Sequence, residues 1–142
     1  MARSAGLRSG RRARGSVQLA GQQHARDPRY IRAVADARAL YKEGFEHFTN
    51  GRIDEAIASY RGAVEADPSL AIAWNGLSLA YKHIGDLAAA IEAGRVLIEL
   101  EPDDPLSHTN LSILYQNQGL IQEAEDEKAL ALQLQMKAQG RS

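Results

Sequence analysis

The chain has 142 residues, 44% of them apolar and 25% charged, a composition that permits one packed core of ordinary size. It contains no cysteine, which excludes disulfides, thiolate metal sites and thiol nucleophiles together. The net charge of −1 divides unevenly: residues 1–33 carry eight arginines against one aspartate, and residues 34–142 carry nine basic against seventeen acidic side chains.

Taken in chain order, residues 1–27 read as a basic, disordered arm, because Gly, Ser and closely spaced arginines offer little to bury. The pair Arg11-Arg12 suits a twin-arginine export signal, but Ser16 to Gln23 is too polar and short for the apolar region such a signal needs. An Arg-rich, acid-poor start is also the pattern of an organelle transit peptide. Initiation at a valine codon, Val17 or Val34, would leave the arm untranslated. The electrostatic alternative is attachment to nucleic acid or an anionic membrane; the absence of interleaved aromatics for base stacking argues against nucleic acid. No stretch reaches the roughly 18 apolar residues needed to span a bilayer, and the expected location is cytoplasmic.

Asp27-Pro28 reads as an N-cap followed by proline at the first helical position. It opens a first helix at 28–49 with Tyr30, Ile31, Val34, Leu40, Tyr41, Phe45 and Phe48 on its apolar face. Asn50-Gly51 turns the chain. A second helix follows at 53–66, with Asp54 and Glu55 in its first turn favouring the dipole. The third is expected at 70–84 with Ser69 as cap, the fourth at 87–100 opened by Asp86, the fifth at 105–118 opened by Asp104-Pro105, and the sixth at 120–138. Residues 139–142 remain as a tail. No strand is predicted, so the fold class is all-α.

The sequence repeats itself at an interval of 34: Pro68 and Pro102, Gly51, Gly85 and Gly119, Ala56, Ala90 and Ala124, Ile53, Leu87 and Ile121, Tyr81 and Tyr115, Leu77 and Leu111. Three helix–turn–helix units result, at about 37–70, 71–104 and 105–138, within a domain spanning 28–138. The chemistry of the columns is direct. The alanines permit two helices to cross closely, the glycines supply the turn between them, and proline ends the unit and suits the first turn of the next helix.

These columns resemble the tetratricopeptide repeat. Trp74, Leu77, Tyr81, Ala90 and Pro102 fit its pattern in the middle unit, Leu40, Gly44, Ala56, Tyr60, Ala63 and Pro68 in the first, and Leu111, Tyr115, Ala124 and Ala131 in the third. Where the family places an aromatic in the second helix, the first unit has Tyr60, but the second has Gly94 and the third Lys128; where it places Trp, the third unit has His108. Trp74→Ala is expected among the costliest substitutions, on the order of 3–5 kcal/mol for a buried ring. No seventh, capping helix is recognisable, and the sixth helix overruns its repeat through Leu130, Leu132 and Leu134. Exposed leucine there would favour assembly into a homo-oligomer.

Nothing in the chain reads as catalytic, metal-binding or cofactor-binding. The four histidines, His24, His47, His83 and His108, form no His-x-x-x-His pair and read as surface or packing residues. The run Glu123, Glu125, Asp126, Glu127 lacks the glycine-centred loop of a calcium site and reads as a solvated helix face. Asn110-Leu111-Ser112 matches a glycosylation triplet but falls inside a helix. No phosphate loop or nucleophile elbow is present.

The resemblance implies a solenoid whose first helices line a concave groove, used in the family to hold peptides or helices of partner proteins. The chain is therefore read as an adaptor or scaffold, not an enzyme. Family members that clamp acidic chaperone tails use Lys, Arg and Asn at set places; here those places carry Tyr41, Phe45, Gly76, Leu106 and Asn110, so the two-carboxylate clamp is absent. The groove is expected to present Tyr41, Phe45, Phe48, Ile72, Asn75, Leu79, Lys82, His83, Thr109, Asn110, Ile113, Gln116 and Asn117 to an apolar or amphipathic segment.

Overall fold

The computed structural model describes residues 26–140, and the reading of the arm as disordered lies outside them up to residue 25. Six helices run α1 (Pro28–Thr49), α2 (Ile53–Ala66), α3 (Ala71–His83), α4 (Leu87–Leu100), α5 (Pro105–Asn117) and α6 (Ile121–Ala138), with no strand among the described residues. Each α1–α2, α3–α4 and α5–α6 hairpin is closed by the same three-residue turn. Gly51, Gly85 and Gly119 take φ of 77°, 83° and 84°, the left-handed region where a Cβ is strained. Around each, two hydrogen bonds recur: Arg52 N–H to the His47 carbonyl with Gly51 N–H to Phe48, Asp86 to Tyr81 with Gly85 to Lys82, and Leu120 to Tyr115 with Gly119 to Gln116. This is the Schellman closure, and it satisfies carbonyls that a helix end leaves without partners.

The helix starts follow the caps with one exception. The carboxylates of Asp27, Asp86 and Asp104 accept from the backbone N–H of Arg29, Ala89 and Leu106. Ser69 does not cap α3. Its hydroxyl and its own N–H both donate to Asp67, a buried carboxylate that is the stronger acceptor, and α3 starts only after Leu70. Pro28 and Pro105 occupy the first turns of their helices, but Pro68 and Pro102 lie in the turns between units. Their role is different from the one expected: the Pro68 carbonyl accepts from Trp74 Nε1 at 2.8 Å, and the Pro102 carbonyl from His108 Nε2 at 2.7 Å.

The core forms two clusters that meet at Tyr81. Ala56, Ala90 and Ala124 are buried where paired helices cross. At two of these crossings a serine one helix away donates to the alanine carbonyl, Ser78 to Ala90 at 2.9 Å and Ser112 to Ala124 at 2.7 Å. In the first unit the matching residue is Gly44, and the reason is Tyr60. That ring is 2% exposed and stands between the backbones of α1 and α3. A Cβ on Gly44 would sit 2.7 Å from it, and one on Gly76 2.8 Å. Tyr41 stacks on the ring at 5.7 Å between centroids. Burial pushes the Tyr60 hydroxyl pKa up to about 12.

Gly94 holds the Tyr60 column in the second unit, and the structure accounts for it. A Cβ there would meet Leu111 Cδ1 at 3.4 Å and Leu114 Cδ1 at 3.7 Å, so the leucines of α5 occupy the space a ring would take. Trp74 is half-buried, which moves the largest expected packing loss from Trp74 to Tyr60. Tyr60→Ala is expected to cost on the order of 3–5 kcal/mol. Gly76→Ala, with nowhere to place its methyl, should cost about 1–3 kcal/mol by overpacking. Gly94→Ala, with room for the methyl, should instead stabilise by about 0.5–1 kcal/mol through helix propensity. Chemical denaturation of the three variants checks the order; equal losses for the two glycine variants would contradict it.

Candidate functional site

The first helices of the three units, α1, α3 and α5, carry the residues read as a groove. Between α3 and α5 lies an open depression of about 340 Å³ lined by Ile72, Asn75, Asn110, Leu97, Leu106 and Ser107 and flanked by Glu101 and Asp104. It continues into a slot of about 20 Å³, space for roughly one water, over Gly94, Ser78, Leu79, Lys82, Leu111 and Leu114. Five of the expected groove residues, Ile72, Asn75, Leu79, Lys82 and Asn110, are therefore brought together. The slot is narrow because Leu111 and Leu114 lie against Gly94. The acidic Glu101 and Asp104 line the depression, and the basic Lys82 lines the slot.

The remaining residues distribute otherwise. Tyr41 and Phe48 are half-buried and pack on the first core cluster. Phe48 meets the His83 ring edge-on at 5.8 Å, and Phe45, exposed, lies 6.3 Å from Tyr41. Thr109, Ile113, Gln116 and Asn117 are exposed along α5 and line neither the depression nor the slot; the Thr109 hydroxyl donates back to the Pro105 carbonyl at 3.0 Å. Gly76 is buried under the Tyr60 ring and offers nothing to a ligand. Leu106, read from the sequence only as a clamp place without the clamp residue and not as part of the groove, is 67% exposed on the rim of the depression. The signal was present, since Leu106 stands 34 residues after Ile72 in the same column.

The histidine and acidic readings also change. His108 is 3% exposed; its Nδ1–H donates to Glu127 Oε2 at 2.6 Å and its Nε2–H to the Pro102 carbonyl. A carbonyl and an ionised carboxylate both accept, so this pair of partners favours the imidazolium form of the ring. Glu127 is thus turned inward from the acidic run, while Glu123, Glu125 and Asp126 are exposed. Among the described residues no group of acids and histidines is arranged to hold a metal ion. The last helix leaves Ile121, Leu130, Leu132 and Met136 exposed, with Leu134 half-buried, and Lys128 exposed in the Tyr60 column. No described helix is long and apolar enough to cross a membrane.

Comparison with known proteins agrees with the helical-repeat fold. A family model described as tetratricopeptide repeat matches residues 41–105. Among solved structures, the chain superposes on MamA with a TM-score of 0.72 at 27% identity, covering 74% of this chain and 61% of that one. It thus spans less than two thirds of the MamA chain. It superposes on the first tetratricopeptide domain of Spaghetti (RPAP3), bound to the HSP90 peptide SRMEEVD, with a TM-score of 0.68 at 22% identity, covering 71% and 80%. A CopN–Scc3 complex gives 0.68 at 24% identity, covering 70% and 59%.

The His108–Glu127 pair generates a pH prediction. Burial lowers the His108 pKa, but the hydrogen bonds to Glu127 and Pro102 and the charges of Glu127 and Asp104 outweigh it, so the net shift is upward. A raised folded-state pKa gives stability that is fully present below the unfolded value of about 6.5 and is lost as pH rises through the folded value. Thermal unfolding between about pH 5.5 and pH 8.5 should show a falling Tm, and Glu127→Gln should shrink that fall. A Tm profile unchanged by Glu127→Gln would show that the pair is not the cause.

Proposed function

Taking the chain as a tetratricopeptide-repeat protein, we propose that it is an adaptor that holds an apolar or amphipathic segment of another protein in the depression between α3 and α5. The observation that carries this reading is the joining of Ile72, Leu97 and Leu106 with Asn75 and Asn110 in one open depression, which continues into the slot that Leu79 lines. The apolar side chains supply contact area, and the two amides can catch a backbone N–H or carbonyl of the bound segment. The fold is that of a protein–protein interaction module, and similar repeat domains are seen with a bound peptide or in a protein complex. The clamp for an acidic tail is absent by this reading, because its places hold Tyr41, Phe45, buried Gly76 and Leu106, with Asn110 the one amide.

A second reading, self-assembly through α6, is supported by the exposed Ile121, Leu130, Leu132 and Met136. Light scattering over a concentration series separates it: a rising mass that Leu132→Lys suppresses supports assembly, and a constant monomer mass removes it.

Ile72→Ser combined with Leu79→Ser tests the groove, since both residues are exposed and their loss spares the core. Phe48 is a poor probe because it packs on the core. The chain immobilised and exposed to native extract should retain a partner that the double variant loses by about tenfold or more, roughly 1.4 kcal/mol. Raising salt should change retention little, because the contacts are apolar. A partner kept equally by the double variant, or one that depends on a free acidic C-terminus, would refute the assignment.

A further inference from the structure

On the opposite side of the molecule, α2 and α4 flank a crevice of about 240 Å³ whose floor is Trp74, Leu77 and Tyr81 of α3. Arg61, Val64 and Glu65 of α2 form one wall, and Ala89, Glu92 and Ala93 of α4 the other. Two aromatic side chains and two carboxylates around an apolar floor are the components of a cation site: the rings attract a cation to their faces, and the carboxylates add charge and hydrogen-bond acceptors.

The next unit offers a precedent for the kind of cation that suits a tyrosine in this column. One unit on, Tyr115 stands in the column of Tyr81 and Arg95 in that of Arg61. There the Arg95 guanidinium lies 5.8 Å from the Tyr115 ring centroid, and its Nε donates to the Tyr115 hydroxyl at 3.1 Å. In the crevice no arginine among the described residues lies over Tyr81, and neither Glu65 nor Glu92 is in a salt bridge among them. Arg61 lines the crevice wall without lying over Tyr81, so the seat on the ring that Arg95 takes at Tyr115 is not taken at Tyr81 by an arginine among the described residues.

We propose that an arginine of this chain's own segment 1–25 fills it. That segment holds Arg3, Arg8, Arg11, Arg12 and Arg14 with no acidic residue, against a body with a large acidic excess. It also arrives at the right end. The three-residue turn makes α1 antiparallel to α2, so the first turns of α1 project past the C-terminal end of α2, where Glu65 stands. From Arg26 back to Arg14 is twelve residues, a reach of up to about 40 Å. The two rim carboxylates outnumber Arg61, so the crevice keeps a net negative rim for the incoming guanidinium.

Trp74 is the chain's single tryptophan and lies on the crevice floor, so its quenching by acrylamide in the full-length protein reads occupancy directly. At low salt the quenching constant of the wild type should be roughly half that of a variant carrying Arg3→Gln, Arg8→Gln, Arg11→Gln, Arg12→Gln and Arg14→Gln, and should rise to the variant's value near 1 M salt, where the screening length is about 3 Å. Glu65→Gln combined with Glu92→Gln should quench like the five-arginine variant, with helix content unchanged by circular dichroism. Equal quenching of the wild type and the five-arginine variant at low salt would overturn the proposal. So would protection that disappears in Arg61→Gln but persists in the five-arginine variant, which would assign the seat to Arg61. Protection that falls on dilution at constant salt would place the arginine on a second copy and overturn the seat within one chain.

Discussion

Tyr60 stands between two helix backbones with no room for a methyl group on either side. The ring cannot be buried unless residue 44 of α1 and residue 76 of α3 both lack a side chain, and they are both glycine. A glycine in a helix interior costs about 0.5–1 kcal/mol relative to alanine, and burial of a ring of this size outweighs two such costs. This contact binds α1 to α3 across α2 and so sets the step from one unit to the next. The faces of α1 and α3 on one side of the molecule, and the spacing of α2 and α4 on the other, follow from that step.

The second junction meets the same requirement with different atoms. Gly94 replaces the ring, the serine hydroxyls of Ser78 and Ser112 bond across the helix crossings, and Leu111 and Leu114 move against the bare backbone of α4. Aliphatic branches fill a ring-shaped space less completely than a ring does, and the narrow slot over Gly94 is what they leave. The open depression of the concave side adjoins this junction. The departure from the repeat pattern and the slot between α3 and α5 therefore share one cause.

A similar substitution occurs where His108 stands in the Trp74 column. Both rings donate a hydrogen bond to the carbonyl of the turn proline six residues back. The indole has one N–H and is then satisfied, whereas the imidazole has a second nitrogen, which finds Glu127 on α6. In the third unit this pair ties α5 to α6. The other side of the molecule shows the same economy of columns: Arg95 lies against Tyr115, while Tyr81 shares its crevice with Arg61, Glu65 and Glu92.

The six helices and their hairpins were legible in the sequence because their signals are local. A positive-φ glycine, an aspartate cap or a proline acts on residues within one turn of itself, so Gly51, Gly85, Gly119, Asp27, Asp86 and Asp104 could be read without knowing their surroundings. The repeat interval then implied the order in which hairpins stack. What depended on tertiary structure was every question of which atom lies opposite. Asp67 outcompeted the α3 cap for Ser69, Glu127 turned inward from a run that looks uniformly solvated, and Phe48 joined the core while Leu106 stayed on the surface. Gly94 departs from the repeat pattern because Leu111 and Leu114 lie against it. Sequence spacing assigns a residue to a face of its own helix, but the choice among core, rim and crevice is made by the distance to a neighbouring helix, which is set by side chains 34 or more residues away.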